Sequence, residues 1–373
     1  MRVKQVKMRQ NPTPGPDARW LSPAVSAVGE ARVGPLIELP RVLEELGLSP
    51  RRVLRQAGVA PGLFGNPENR IPYEALGRLL FTCASLSGRS DFGLLAGSRF
   101  SLANFGTLGE LMRNAGTVGE ALRALILHLH FYDRTAVPVM FQVGSARVLL
   151  GYSPQHAAMP GAGQLQDAAT TVAYRMMREL CGPGWQPEFV QFSHHRPDSI
   201  AGYRRVFGPG VRFNADLSGL SFSSAWLEHP VAGADPALYT LLTHTLRDAK
   251  TGGLMSVAEE VRCVLLQLLP GGTAATASVA RMFGISERTL RQKLQDEGVK
   301  MQQLLAETRF ELARHLLQNT QLPMADIAAA LCYADAAVFS RAFHSWAGLS
   351  PRQWRYQNQA PGRSGRSPAA PAR

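Results

Sequence analysis

Arg288, Arg291, Gln292 and Gln295 are spaced so that a helix opening after Ser286 turns all four to one side. Arginine and glutamine carry the donor and acceptor pairs that match guanine and adenine edges in the major groove of DNA. Leu290 and Leu294 fall on the opposite side, and Ser286 has the side-chain oxygen that caps a first helical turn. Upstream, Ala280 is small enough to sit where two helices touch, and Gly284 permits the positive φ of a sharp turn. Val279, Phe283 and Ile285 complete an apolar set, so the spacing predicts a helix-turn-helix over residues 278–294. An ordinary helical hairpin with a solvated face is the plain alternative.

A second stretch, 327–343, repeats the pattern with different chemistry. Ala328 takes the small position, Cys332 stands where glycine is preferred, and Tyr333, Val338, Phe339 and Phe343 are candidates for burial. Ala336, Ala337, Ser340 and Arg341 face outward. Alanines there can touch thymine methyl groups but cannot hydrogen-bond a base, which leaves Arg341 as the strongest contact candidate of this copy.

These two surfaces need something to hold them in phase. Residues 301–318 carry Leu304, Leu305, Leu312, Leu316 and Leu317 at helical spacing, which predicts a rigid helical spacer. Two recognition helices on one face of DNA must sit ~10 bp apart. After the second copy, Gly348 ends one helix, Ser350 caps the next and Pro351 takes its first position.

The net charge of +12 is a poor witness for this chemistry. Residues 1–34 carry +4 and residues 357–373 carry +3, so more than half the excess lies in two Pro/Gly/Ser-rich tails expected to be disordered. Residues 255–356 carry only +2, which favours patterned readout over bulk attraction and argues against an architectural, sequence-indifferent DNA binder.

Between the tail and the helical end, the period changes repeatedly. Helical spacing is expected over 36–58, 73–86, 108–113, 164–180 and 199–207, and Thr117 with Glu120 predicts a capping box opening a helix over 121–130. Alternation predicts a hairpin from 139–143 and 147–152 about Gly144-Ser145, with further strands at 188–193, 211–213 and 220–223. The expected organisation is a disordered basic tail over 1–34, an α+β domain over 35–230, a helical linker over 231–254, an all-α domain over 255–356 and a disordered tail over 357–373.

With these residues in place, 255–356 resembles the DNA-binding domain of the AraC/XylS family of bacterial transcription regulators. The resemblance rests on both turns, on Arg309 and Ala313 of the connecting helix, and on the ending Phe339-Ser-Arg-Ala-Phe343, Trp346, Gly348-Leu-Ser-Pro351 and Arg355. The family pattern expects glycine where Cys332 stands. Residues 35–230 resemble more loosely the arabinose-binding-like effector domain of one AraC subgroup, through Asp91-Phe-Gly-Leu-Leu-Ala-Gly97, Gly106-Thr-Leu-Gly109, 117–122 and Tyr203–Phe207 followed by Val211-Arg-Phe213. The resemblance implies an α+β N-terminal effector domain joined to an all-α C-terminal domain with two helix-turn-helix motifs. It implies base reading by Arg288, Arg291 and Gln292 in one helix and by Ala336, Ala337, Ser340 and Arg341 in the other. It further implies double-stranded DNA as partner, an unidentified small-molecule effector, contact with RNA polymerase, and a homodimer in the cytoplasm.

Other chemistry finds little support. His194-His195 has no third ligand at a metal-site spacing, so no metal is expected, and the absence of a Gly-rich phosphate loop leaves no cofactor expected. An enzyme borrowing the DNA-binding module would need an activated thiol, and none of Cys83, Cys181, Cys263 and Cys332 has a histidine within five residues. No stretch approaches 18 uninterrupted apolar residues, so no membrane partner is expected. Phe105, Phe131, Tyr132, Phe141, Tyr152, Phe222 and Trp226 are candidates for a pocket lining, with packing as the alternative for each.

Overall fold

The computed structural model describes residues 29–129, 136–143, 146–154, 159–251, 256–269, 274–283 and 285–358. Gly144-Ser145, Gly284, residues 1–28 and residues 359–373 lie outside the described residues.

Order begins earlier than the composition of 1–34 suggests. Strand β1 (Glu30–Arg32) pairs antiparallel with β2 (Arg70–Pro72). Ala31 and Val33 bury their side chains, and the Val33 and Gly34 amides donate to the Asn69 and Pro67 carbonyls at 2.9 and 3.1 Å. This burial outweighs the Pro/Gly content that marked residues 30–34 as tail, and the expected boundary is corrected accordingly. The single helical stretch expected over 36–58 is two helices, α1 (Leu39–Glu45) and α2 (Pro50–Gln56). Gly47, at φ +73°, turns the chain between them, and Pro50 opens the second.

Helices α3 (Tyr73–Ser87), α4 (Phe92–Ser98), α5 (Thr107–Arg113) and α6 (Val118–His128) follow. At the start of α6 the Thr117 hydroxyl accepts from the Glu120 amide at 3.2 Å. The Glu120 carboxylate takes the Gly116 amide at 2.9 Å rather than that of Thr117, so only half of the expected capping box forms. Strands β3 (Ala136–Val143) and β4 (Arg147–Pro154) pair antiparallel, ahead of α7 (Ala162–Cys181). The domain closes with β5 (Phe189–Gln191), α8 (Ala201–Phe207), β6 (Val211–Arg212) and β7 (Ser218–Ser223).

The larger sheet has the order β3-β4-β7-β5-β6, antiparallel except for β5 against β6. Leu220, at the middle of β7, faces Leu150 on one side and Val190 on the other. Helix α7 packs on this sheet and joins two apolar cores. Tyr174, Met177 and Leu180 lie in the core shared with the sheet, whereas Leu165 and Ala168 lie in the core built by α1 to α4. Helix α4 presses against α7 through glycine: a Cβ on Gly93 would lie 2.2 Å from the Gln164 carbonyl oxygen, and one on Gly97 would lie 2.6 Å from that of Ala168. The following helix α9 (Pro236–Thr251) lays Tyr239, Leu242 and Leu246 on the sheet-side core.

The remainder is helical: α10 (Val257–Leu268), α11 (Thr276–Met282), α12 (Glu287–Asp296), α13 (Met301–Asn319), α14 (Met324–Ala330), α15 (Ala336–Ala347) and α16 (Pro351–Asn358). It meets the N-terminal domain where α10 touches α6 and α13 touches β4. Among the described residues no helix is long and apolar enough to cross a membrane.

Candidate nucleic-acid interface

The helical part is built as two small cores sharing one spine. Val279, Ala280, Leu290 and Leu294 of α11 and α12 pack with α10 and with Leu304 at the start of α13. Ile327, Ala328, Phe339 and Phe343 of α14 and α15 pack with Leu312, Ala313, Leu316 and Leu317 at its end. Each fully buried leucine contributes roughly 2 kcal/mol of transfer free energy, so the leucines of α13 tie both units firmly to one rod.

Each unit turns on the same backbone bond. The Ile285 amide donates to the Ala280 carbonyl at 3.1 Å, and the Tyr333 amide to that of Ala328 at 2.9 Å. Small residues at 280 and 328 allow this close return. Cys332 takes the left-handed conformation that a glycine would adopt without cost, at φ +59°. The next helix is capped by Ser286 in the first unit, which accepts from the Thr289 amide at 3.1 Å. In the second, Asp335 accepts from the Ala337 and Val338 amides at 2.8 and 2.7 Å. The second turn therefore runs one residue longer before its cap.

Counted from these caps, Arg288, Arg291 and Gln292 occupy the same helical positions as Ala337, Ser340 and Arg341. Arg288, Arg291, Gln292, Ala337 and Arg341 are exposed, whereas Ala336 and Ser340 are half-buried. Arg291 is paired with Glu287 at 2.8 Å, and the Gln292 amide donates to Asp296 at 2.8 Å. Beyond these contacts Arg291 keeps further guanidinium donors, and Gln292 keeps its amide oxygen and a second N–H. The Ser340 hydroxyl donates to the Ala336 carbonyl at 2.7 Å and retains its lone pairs as acceptors.

Several positioning contacts were not apparent from spacing. Both carboxylate oxygens of Glu297, just past α12, accept the Val257 and Ala258 amides at the start of α10, at 2.7 and 2.8 Å. Arg262 of α10 pairs with Glu307 of α13 at 3.0 Å. Arg309 lies 4.9 Å from the Tyr333 ring centre, which clamps the second turn to the spine. Arg314 lies between Phe310 and Trp354, at 5.6 and 5.3 Å. Arg355 of α16 donates to the Leu322 carbonyl at 2.6 Å; burial lowers its pKa, and attraction from Asp216 of the N-terminal domain opposes that shift. The Asp335 cap had a local signal, an acid immediately before a helix, and Arg309 and Arg355 stood out through the family resemblance.

The other candidates fall into structural roles. His194 Nε2 lies 2.9 Å from the Asp167 carboxylate and its Nδ1 lies 2.9 Å from the His195 carbonyl. Two acceptors favour the imidazolium. Burial alone would lower the His194 pKa, but the bond and the attraction of Asp167 raise it above the ordinary histidine value. Burial raises the pKa of Asp167, against the pull of His194 and of the Tyr203 hydroxyl, which donates to it at 2.7 Å. His195 bonds Asn214 at 2.7 Å. No group of metal-ligating side chains occurs among the described residues. Burial pushes the Cys83 and Cys181 thiols up to about 12, which makes them poor nucleophiles.

Of the aromatic residues considered for a pocket, Phe105 lines a cavity of about 130 Å³ beside α7. Phe222 instead packs edge-on to Trp185, with centroids 6.0 Å apart, and Trp226 lies 4.8 Å from His229. Phe131 and Tyr132, and the side chains of Phe141 and Tyr152, lie outside the described residues.

Residues 47–231 match the family described as the arabinose-binding domain of AraC transcription regulators, N-terminal, and residues 279–357 match a helix-turn-helix domain family. The chain is 27% identical to the HTH-type transcriptional regulator VirS of Mycobacterium tuberculosis, over 86% of this chain and 95% of that protein. It is 29% identical to the ornithine utilization regulator of Pseudomonas aeruginosa, over 84% and 93%. Among solved structures, the transcriptional regulator CdpR from Pseudomonas aeruginosa is similar at 24% identity and TM-score 0.42, covering 82% of this chain and 96% of that one.

Proposed function

We propose, for a chain that belongs to the AraC family of DNA-binding transcription regulators, that it reads one operator through two successive major grooves, with α12 in the first and α15 in the second. Helix α13 carries this reading. Its 19 residues run roughly 28 Å at 1.5 Å per residue. That is of the same order as the ~34 Å between grooves on one face of B-DNA. A single rod with a helix-turn-helix packed at each end presents both recognition helices in fixed phase.

The assignment of roles follows from side-chain chemistry. Arg288, Arg291 and Gln292 hydrogen-bond base edges in the first groove. In the second, Ala336 and Ala337 contact thymine methyl groups, Ser340 offers a small polar contact, and Arg341 supplies the guanine contact. The chain acts without catalysis, and its DNA-binding domain spans 255–356, joined through 231–254 to an effector domain that closes near residue 230. Effector binding shifts the population of domain orientations, with a coupling of about 1–3 kcal/mol, and so alters operator affinity or contact with RNA polymerase in the cytoplasm. Leu238 and Leu241 of α9, 36% and 62% exposed, support homodimerisation through the linker helix.

The test is protection of the promoter fragments flanking its own gene, at fixed salt, with excess random competitor DNA. A discrete protected segment of ~20 bp is expected from two adjacent grooves. Salt-sensitive binding without a preferred segment would replace this reading with sequence-indifferent binding.

A further inference from the structure

The cavity beside α7 has no part in DNA contact. Leu125 and Leu129 of α6 and the adjoining chain close one side, Leu150 of β4 and Gly219 of β7 another, and Ala173 and Met176 of α7 a third. Protein interiors are packed as densely as organic crystals, and voids larger than a water molecule are few. This hollow of about 130 Å³, which is partly open rather than sealed, leaves its apolar lining short of contacts unless something fills it.

The lining also indicates what would fill it. A buried water needs two to four polar partners, and an aliphatic cavity of roughly this size stays dry and admits benzene. Among the described residues, the polar side chains at this cavity are those of Arg32 and Thr170. Arg32 is ion-paired with Glu68, so among the described residues of the lining no uncompensated positive charge awaits a carboxylate. An ionised ligand would lose its hydration without a counter-charge. Thr170 is 2% exposed, and its hydroxyl is buried without a hydrogen-bond partner. Its oxygen has almost no accessible surface, so the hydroxyl is not presented to the cavity, and apart from Arg32 the described lining that a ligand would meet is apolar.

We propose that this cavity is the effector site and that its ligand is a small, uncharged, predominantly apolar molecule of roughly benzene size. The proposal rests on the regulator reading for its consequence. Two walls of the cavity are also seats of the DNA-binding domain: α6 touches α10, and β4 touches α13. A ligand that displaces Leu125, Leu129 or Leu150 acts on elements that hold the orientation of α13. Because the DNA-binding domain touches the same two elements that carry these residues, a displacement can pass to it along one element.

Cyclopentanol is the probe, titrated into the full chain and followed by melting temperature and by NMR of ¹³C-labelled methionine methyl groups. The Met176 signal is assigned by Met176→Leu. A saturable rise in melting temperature is expected, with nuclear Overhauser contacts between the ring protons and the Met176 methyl. Ala173→Leu, whose added carbons occupy the void, should weaken binding at least tenfold. Cyclopentanecarboxylate above pH 7 should bind at least tenfold more weakly than the alcohol. Should Ala173→Leu fail to fold, the Met176 contacts in the natural chain decide alone. No saturable shift and no contact at Met176, or a carboxylate that binds as tightly as the alcohol, overturns the proposal.

Operator affinity is measured in a separate arm, with and without cyclopentanol. A change of at least fivefold is expected. An unchanged operator affinity while the alcohol occupies the Met176 site overturns the effector assignment. Failure to protect any DNA under either condition overturns the regulator reading instead, while the cavity measurements still decide occupancy.

Discussion

The Cys332 thiol donates to the backbone carbonyl of Leu269, with Sγ 2.9 Å from the oxygen, and so ties the second turn to the end of α10. The same residue holds a left-handed backbone at φ +59°. A non-glycine residue there costs roughly 1–2 kcal/mol, against which the thiol bond and side-chain packing count. Cys332→Gly should therefore leave stability within about 0.5 kcal/mol, because the relieved backbone cost is offset by the lost bond and a more flexible unfolded chain. Cys332→Val, branched at Cβ, should destabilise by about 2 kcal/mol. Urea unfolding of the three proteins checks both values, and equal stability for all three would refute the account.

The Asp167–His194 pair makes stability depend on pH. His194 has a raised pKa in the fold, so its contribution is complete below the unfolded value of 6.5 and is lost as pH rises through the folded one. Asp167 is also raised, so its buried carboxylate costs stability at neutral pH and is relieved on acidification. Denaturant midpoints should fall between pH 6 and pH 9, and Asp167→Asn should flatten that fall. His194→Ala should cost about 3 kcal/mol at pH 7, because it leaves a buried carboxylate without its cation. The cost should shrink toward pH 5, where Asp167 can take up a proton.

On the DNA-facing side, Arg288→Ala and Arg341→Ala should each cost about 1–3 kcal/mol of operator binding and relax sequence preference at one position. Quantitative footprinting on operator and scrambled fragments separates this from a uniform loss. Neither variant changing affinity or preference would remove these residues from the interface.

Glu287 holds Arg291 and adds a negative charge to the recognition helix. An exposed pair of this kind is worth about 0.2–1 kcal/mol. Glu287→Gln should accordingly tighten operator binding by a similar amount. Weaker binding would mean that Glu287 itself contacts a base or positions Arg291 for one.

Gly93→Ala should destabilise the N-terminal domain by about 3 kcal/mol, since the new methyl meets the backbone of α7 rather than a movable side chain. Thermal unfolding measures it. A loss under 1 kcal/mol would mean that α4 and α7 separate easily.

Much of this molecule could be read from its residues. The helix-turn-helix pattern at Ala280, Ile285, Leu290 and Leu294 was legible because helical period, turn chemistry and capping all pointed the same way. The positions of Arg288, Arg291 and Gln292 on one face follow from the period alone. What stayed hidden depends on contacts distant in sequence. Val33 and Gly34 look like tail until the Asn69 and Pro67 carbonyls accept their amides. Asp167 reads as an ordinary helical acid, yet it is 1% exposed because His194 and Tyr203 reach it from 27 and 36 residues away. The cavity is a property of packing between α6, α7 and the sheet, which no local pattern encodes.

Strand β7 is the last of its sheet to be synthesised, yet it sits in the middle. Until residues 218–223 emerge, the β3–β4 hairpin has no partner for β4 and β5 has none for its inner edge. During translation the nascent chain thus carries two unsealed strand edges, which is the condition that invites association with other chains. Ribosome stalling or premature termination just before Ser218 should be far more harmful than a stop a few residues after Ser223. In the cell, that interval is where a chaperone would have most to do.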